Sequence, residues 1–106
     1  MLLAERGGAD VAKVRKALLG GFADSTILRQ HALRMIASDF APGGPAKYQL
    51  KDTRTAIAFA HSVGLSLPML NQADRQFADM IEQGDGELDH SGVIRELRRK
   101  NSLPTG

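Results

Sequence analysis

The sequence predicts an all-α fold of about five helices, and three observations lead to that prediction. Apolar residues recur every three or four positions through most of the chain, which is the spacing of amphipathic helices. No segment shows the alternation of apolar and polar residues that is typical of a strand. Glycine and proline divide the chain into pieces of helical length. With 106 residues, we expect one domain with a single modest core.

The first two predicted helices have recognisable residues at both ends. Asp10 can cap a helix that stops at the glycine pair 20–21. Asp24 or Ser25 can cap the next helix, which stops at an Ala-Pro-Gly-Gly segment. The apolar positions expected to face inward on these helices are Val11, Val14, Ala17, Leu18, Leu28, Ala32, Met35 and Ile36.

The third predicted helix changes character along its length. Pro45 is placed at its first position and Gly64 at its end. Its first half is polar from Gln49 to Thr55, whereas residues 56–63 are apolar on almost every side. A helix at the protein surface carries one apolar stripe instead. We therefore expect the second half of this helix to be buried.

The last two predicted helices follow the same pattern. Ser66 and Pro68 mark the start of the fourth helix, and Gly84 marks its end. The final helix ends in a basic turn, which suits the negative end of the helix dipole, and the tail after it is expected to fray. The inward positions of the two helices are Leu70, Ala73, Phe77, Met80, Val93, Ile94 and Leu97.

The first eight residues, "MLLAERGG", resemble the end of a helix that runs into a glycine stop. Less than two helical turns remain, and so short a helix is marginal in water by itself. Two interpretations stay open. The segment is a disordered tail, or it is the end of a helix that begins upstream, in which case the first helix is truncated and the chain is a fragment.

Composition excludes several classes of function. The chain has no cysteine, its formal net charge is only +2, and His31, His61 and His90 follow no metal-ligand spacing. No apolar run approaches the ~20 residues of a membrane span, and the start lacks the features of a signal peptide. The basic segment "RELRRKN" has no interleaved aromatic residues. We expect a cytoplasmic protein without a metal, a membrane or a nucleic acid as partner.

A positive stripe on the third helix is the strongest candidate site. Lys47, Lys51 and Arg54 are spaced to lie on one side of a helix, and Asp52 points about 100° away around the axis. This polar half is either a solvated surface or the wall of a cleft that presents a cation to an anionic ligand. The residue pattern leaves both interpretations open. The chain carries no self-sufficient catalytic motif, such as a P-loop or a G-x-S-x-G sequence.

Four short motifs occur in one order along the chain: "DF-x-PG" (39–43), "KD" (51–52), "G-L-x-L-P" (64–68) and "G-x-x-D-x-S" (86–91). Together they resemble the C-terminal helical domain of the β-hydroxyacid dehydrogenases. This family includes 3-hydroxyisobutyrate dehydrogenase, tartronate semialdehyde reductase (2-hydroxy-3-oxopropionate reductase) and, more distantly, 6-phosphogluconate dehydrogenase. The resemblance covers nearly the whole chain, and "GGFADSTIL" looks most like the tartronate semialdehyde reductase branch.

The resemblance implies roles for individual residues. Lys51 would contact a nicotinamide cofactor, NAD or NADP, that is bound mainly by an N-terminal Rossmann domain absent from this sequence. Asp52 would be its positioning or electrostatic partner, and Phe22 and Ser25 would lie near the substrate. No residue of this chain would be catalytic, because the family's catalytic lysine lies on an interdomain helix that runs into a segment like "LLAERGG". Gly44 departs from the aromatic residue that many members place after the "PG" turn.

Two functions follow as hypotheses. In the first, residues 1–106 are the C-terminal domain of an oxidoreductase that transfers hydride between NAD(P)H and a small β-hydroxyacid or semialdehyde. The domain would complete the cleft and the dimer interface, so its partners would be the missing Rossmann domain, the substrate and a second copy of the protein; alone it would be inactive. In the second, the chain is a free-standing helical protein-interaction module without catalysis. The choice between NAD and NADP stays open, because the discriminating residues follow the Rossmann glycines.

Overall fold

The computed structural model describes all residues from Met1 to Gly106 and confirms the all-α fold. Its six α-helices are α1 (Leu2–Arg6), α2 (Val11–Leu18), α3 (Thr26–Ala37), α4 (Ala46–Ser62), α5 (Pro68–Met80) and α6 (Val93–Lys100). A wide helical turn (Ile81–Asp85) and a 3₁₀ turn (His90–Gly92) connect α5 to α6. None of the helices has the length and the apolar character that crossing a bilayer requires.

The start of the chain is helical, as one of the two interpretations predicted. Helix α1 occupies Leu2–Arg6, and Gly8 follows it with a φ of +85°, a conformation that glycine adopts without steric cost. The helix is held to α6 by a salt bridge in which Arg98 Nη2 lies 2.6 Å from Glu5 Oε2. Helix α1 is therefore a sixth helix, in addition to the five that apolar periodicity predicted.

Two predicted caps are confirmed, Asp10 before α2 and Ser25 before α3. The Asp10 carboxylate accepts hydrogen bonds from the backbone N–H groups of Ala12 and Lys13, at 3.0 and 3.2 Å. Of the two candidates before α3, Ser25 is the cap, since its hydroxyl accepts from the backbone N–H of Leu28 at 2.9 Å. Each cap satisfies donors that a helix start leaves free.

The predicted boundaries of α4 and the predicted start of α5 are correct to within one residue. Helix α5 ends at Met80, four residues before the predicted stop at Gly84, and the wide helical turn follows it. Pro45 is the residue just before α4 rather than its first residue, and Gly64 ends the helix with a φ of +80°. Pro68 is the first residue of α5. The prediction that Ser66 caps α5 is wrong, because the cap position falls on Leu67, which has no side chain able to accept a hydrogen bond.

The core is small, and α5 contacts both α4 and α6. Only 12 of the 106 residues are buried, so much apolar surface stays exposed in the single chain. Met80, at the end of α5, is fully buried at the centre of this core. The other buried apolar residues are Ala32, Phe40, Ala46, Ala60 and Ile94.

The expectation that the second half of α4 is buried is wrong for the single chain. Phe59 and Val63 are 68% and 56% exposed, and Leu65, Leu67 and Met69 continue the exposed apolar surface into the start of α5. We call these five residues the α4–α5 apolar face. The reason is that α4 packs against α5 along one side only, so the other side of an all-round apolar segment has no neighbour within the chain.

Candidate functional site

Lys51 is the free cation of the predicted stripe. The ammonium of Lys47 lies 2.6 Å from Glu87 Oε1, and Arg54 Nε lies 3.8 Å from Asp74 Oδ1. Lys51 is exposed, and its ammonium forms neither a salt bridge nor a hydrogen bond with the chain. Of the three aligned cations, it alone makes no salt bridge within the chain.

Asp52 does not interact with Lys51 or with any other side chain. It is exposed and accepts no hydrogen bond within the chain. The carboxylate that supports this part of α4 is Asp74 of α5, whose Oδ1 lies 2.7 Å from the hydroxyl of the buried Thr53. Sequence reasoning missed Asp74, because its pairing depends on the register between α4 and α5. The role of Asp52 as a positioning partner therefore stays a prediction.

Phe22 and Ser25 lie in and next to the turn between α2 and α3. Phe22 is fully exposed, whereas the Ser25 hydroxyl is occupied as the cap of α3. The turn is held by Asp24, whose carboxylate accepts from Arg29 at 2.6 Å and from the Gly20 backbone at 2.9 Å; these bonds lower the pKa of Asp24. No cleft of the chain is lined by both Lys51 and either of these two residues, so their substrate-side role stays a prediction.

Two of the four sequence motifs meet at the buried carboxylate of Asp89. Its Oδ1 accepts from the backbone N–H groups of Gly43 and Gly44, both at 3.1 Å, and its Oδ2 accepts from the backbone N–H of Ser91 at 3.0 Å and from the hydroxyl of the same residue. Burial by itself would raise the pKa of this carboxyl, but the hydrogen bonds from Ser91, Gly44 and Gly43 outweigh burial and hold the pKa far below its ordinary value. Asp89 is therefore negatively charged, and its hydrogen bonds hold the two motifs together.

The same region fixes the start of α4. The backbone N–H of Ala46 donates to the carbonyl of Leu88 at 2.9 Å, and that of Lys47 donates to the carbonyl of Gly86 at 3.1 Å. Ala46 is completely buried. Lys51 thus stands about one helical turn beyond a firmly anchored helix start, which fixes the position of its backbone.

His31 and His90 are brought together by the fold, although 59 positions separate them. Their ring centroids lie 4.4 Å apart with the planes inclined by 65°. They line a cleft of about 240 Å³ together with Gln49 and Met35. Partial burial lowers the pKa of His31 below its ordinary value, and the neighbouring His90 lowers this pKa further. The sequence-based interpretation of each histidine as an isolated residue missed this pair, because no local spacing signals it.

Comparison with known proteins confirms the resemblance stated from the motifs. Residues 1–97 match the family model described as NAD-binding of NADP-dependent 3-hydroxyisobutyrate dehydrogenase. The chain is 38% identical over 97 residues to 2-hydroxy-3-oxopropionate reductase of Escherichia coli (strain K12), which is 92% of this chain and 33% of that protein. It is 30% identical over 103 residues to the probable 3-hydroxyisobutyrate dehydrogenase-like 2, mitochondrial, of Arabidopsis thaliana, which is 97% of this chain and 33% of that protein.

The chain therefore belongs to the 3-hydroxyisobutyrate dehydrogenase family, a family of NAD(P)-using oxidoreductases that act on small hydroxyacids. It spans about a third of the length of the curated relatives that it matches.

Proposed function

We propose that this chain is the C-terminal helical domain of an NAD(P)-dependent β-hydroxyacid dehydrogenase and that Lys51 contacts the cofactor. Membership of the family supports the first half of the proposal. The observation that carries the second half is the unpaired ammonium of Lys51 between two paired cations, Lys47 and Arg54. A Rossmann domain elsewhere in the protein would bind most of the dinucleotide, and this domain would close over it.

An unpaired lysine on an anchored helix suits an anionic cofactor. Two opposite charges 4 Å apart attract by about 1 kcal/mol in bulk water and by about 4 kcal/mol near a protein surface. Because Lys51 has no carboxylate neighbour to release first, this attraction is not offset by a broken salt bridge. The hydride chemistry belongs to the cofactor, and this domain contributes orientation and exclusion of water.

The substrate in this proposal is a small β-hydroxyacid or the semialdehyde related to it. The similarity to a protein named 2-hydroxy-3-oxopropionate reductase supports a substrate of the tartronate semialdehyde type, and the match to the 3-hydroxyisobutyrate dehydrogenase model supports the second type. Phe22 and Ser25 would lie on the substrate side of the closed cleft, and Asp52 would act as an electrostatic partner beside Lys51.

A second copy of the protein is the proposed partner of the α4–α5 apolar face. Phe59 and Met69 are 68% and 86% exposed in the single chain. Large apolar side chains that are exposed together often mark an interaction surface. Their burial between two copies would remove apolar area from water and complete the small core.

The test is substitution of Lys51 in the complete enzyme that carries this chain. Lys51→Ala should weaken cofactor binding about tenfold. The dissociation constants are measured by adding NADH or NADPH to the protein and following its fluorescence. Lys47→Ala is the matched control, because it removes a cation one turn away that is already paired with Glu87 and should leave the affinity unchanged. Unchanged affinity in Lys51→Ala would refute the role of Lys51, whereas a complete protein that binds neither dinucleotide would refute the enzyme assignment.

A further inference from the structure

The His31–His90 pair has the composition of a transition-metal site. Potential ligand atoms of His31, Asp89 and His90 all lie within 4.8 Å of one another. Imidazole is a preferred ligand of Zn²⁺, Ni²⁺ and Cu²⁺, and it binds these ions in its neutral form. The two rings come from different elements, α3 and the 3₁₀ turn, so an ion between them would connect parts of the fold that are distant in sequence.

The hydrogen bonding of His90 prepares one of its nitrogens for such an ion. His90 Nδ1 lies 3.2 Å from Gln49 Oε1. With the amide oxygen as acceptor, Nδ1 carries the proton and Nε2 keeps its lone pair. Metal-binding histidines usually donate their second ring N–H to a neighbouring acceptor in this way, because the bond fixes both the tautomer and the ring orientation.

The cleft gives the rings room to approach a common ion. Two imidazole nitrogens on one tetrahedral Zn²⁺, each at about 2.0–2.1 Å from the metal, stand roughly 3.4 Å apart. A movement of little more than 1 Å from the 4.8 Å limit would achieve this. His31 and His90 are both half-buried and line an open cleft of about 240 Å³, which leaves space on one side of the two rings.

Asp89 contributes its charge to this site without serving as a ligand. Both of its oxygens are occupied by hydrogen bonds from Gly43, Gly44 and Ser91. The carboxylate is only 2% exposed, so its negative charge is weakly screened by water. Arg34 lies 3.6 Å from Asp89 Oδ1 and offsets part of that charge. A cation held by the two rings still lies close to a permanent anion.

We propose that His31 and His90 form a site for a divalent transition metal such as Zn²⁺, with Asp89 as a nearby negative charge and water in the remaining coordination positions. The ion holds α3 against the 3₁₀ turn that precedes α6. Because it binds the folded chain and requires both rings together, it raises the free energy of unfolding. The proposal does not depend on the function of Lys51.

The test is calorimetric titration of the 106-residue chain with ZnCl₂ at pH 7.5. One ion per chain should bind, and His31→Gln and His90→Gln should each weaken binding at least tenfold. His61→Gln is the matched control, since His61 lies on α4 outside the pair, and it should bind Zn²⁺ like the original chain. Circular dichroism checks that each variant keeps its helices.

A second measurement needs no variant. In the original chain, Zn²⁺ should shift the ring resonances of His31 and His90 in a ¹H–¹⁵N spectrum of the histidine side chains and leave those of His61 in place. Absence of saturable binding, binding that survives in both ring variants, or shifts confined to His61 would each overturn the proposal.

Discussion

The Asp89 carboxylate accepts a hydrogen bond from the backbone N–H of Gly43 at 3.1 Å, across 46 positions of the chain. Gly44 donates to the same oxygen, and Ser91 donates twice to the other oxygen. One carboxylate therefore connects the loop before α4 with the turn before α6. The resemblance to the family rests on motifs that include these residues, and the structure shows that they act together to hold the fold.

We expect Asp89→Asn to destabilise the chain by about 3 kcal/mol. An asparagine keeps one acceptor oxygen, but its amide group faces buried donors that then lose their partner. Urea unfolding followed by circular dichroism measures the change. Glu87→Gln is the control, because Glu87 is exposed and pairs only with Lys47, and it should leave the unfolding midpoint almost unchanged. Equal midpoints for the two variants would contradict the structural role of Asp89.

Thr53→Val should destabilise the chain by about 1–2 kcal/mol. The substitution keeps the shape of a buried side chain but removes the hydroxyl that lies 2.7 Å from Asp74, leaving a half-buried carboxylate with only Arg54 nearby. Thr55→Val on the same helix is exposed and should change stability by less than about 0.5 kcal/mol. Thermal unfolding of both variants compares them directly, and a larger loss in Thr55→Val would argue against the packing of α4 on α5 described above.

Stability should fall in acid because of Asp85. Burial by itself would raise the pKa of Asp85, but hydrogen bonds from Arg99 and Arg95 outweigh burial and lower it. A carboxyl with a lowered pKa in the folded state stabilises the fold above its ordinary pKa of about 4, and this stabilisation is lost as the pH falls below that value.

The measurement for Asp85 is urea unfolding at pH 7 and at pH 3. Asp85→Asn should lower the free energy of unfolding at pH 7 and should have a smaller effect at pH 3, where the original chain has lost part of the same stabilisation. Asp52→Asn is the control, because it removes an exposed carboxylate without a partner. In this variant the free energy of unfolding should differ between pH 7 and pH 3 by as much as it does in the original chain. An Asp85→Asn effect of equal size at both pH values would exclude this electrostatic origin.

The 106-residue chain should associate through the α4–α5 apolar face. Sedimentation velocity of the original chain should show a larger species that grows with concentration, because exposed phenylalanine and methionine side chains gain by leaving water. Phe59→Glu should shift the chain towards a monomer. Leu33→Glu, at an exposed leucine on α3, should not do so. A monomer at every concentration, or equal sensitivity to both variants, would remove the support for this face as an interface.

Most local features at the helix ends were predictable from the sequence, although the Ser66 cap was not, whereas pairings between helices were not predictable. The caps at Asp10 and Ser25 and the stop at Gly64 depend on residues within one turn of each boundary, so the sequence contains all that is needed. The pairing of Asp74 with Thr53 depends instead on the register of two packed helices.

The same reason explains the error in the second half of α4 and the missed histidines. Apolar residues on every side of a helix indicate that something covers them, but the sequence does not say whether the cover belongs to the same chain. The contact of His31 with His90 follows only once α3 is packed against the 3₁₀ turn. In contrast, the position of Lys51 in the cationic stripe was readable from helical spacing, and the structure adds that its two neighbours are paired.

The anchored start of α4 limits how this helix can attract a phosphate. Helix starts often bind phosphate through their free backbone N–H groups. Here the N–H groups of Ala46, Lys47 and Tyr48 already donate to carbonyls of the chain, at 2.9, 3.1 and 3.0 Å. The positive end of α4 is thus closed to a dinucleotide by the protein's own backbone. An anion that approaches this helix must be met from its flank, by a side chain, and Lys51 is the cation there that no carboxylate has already engaged.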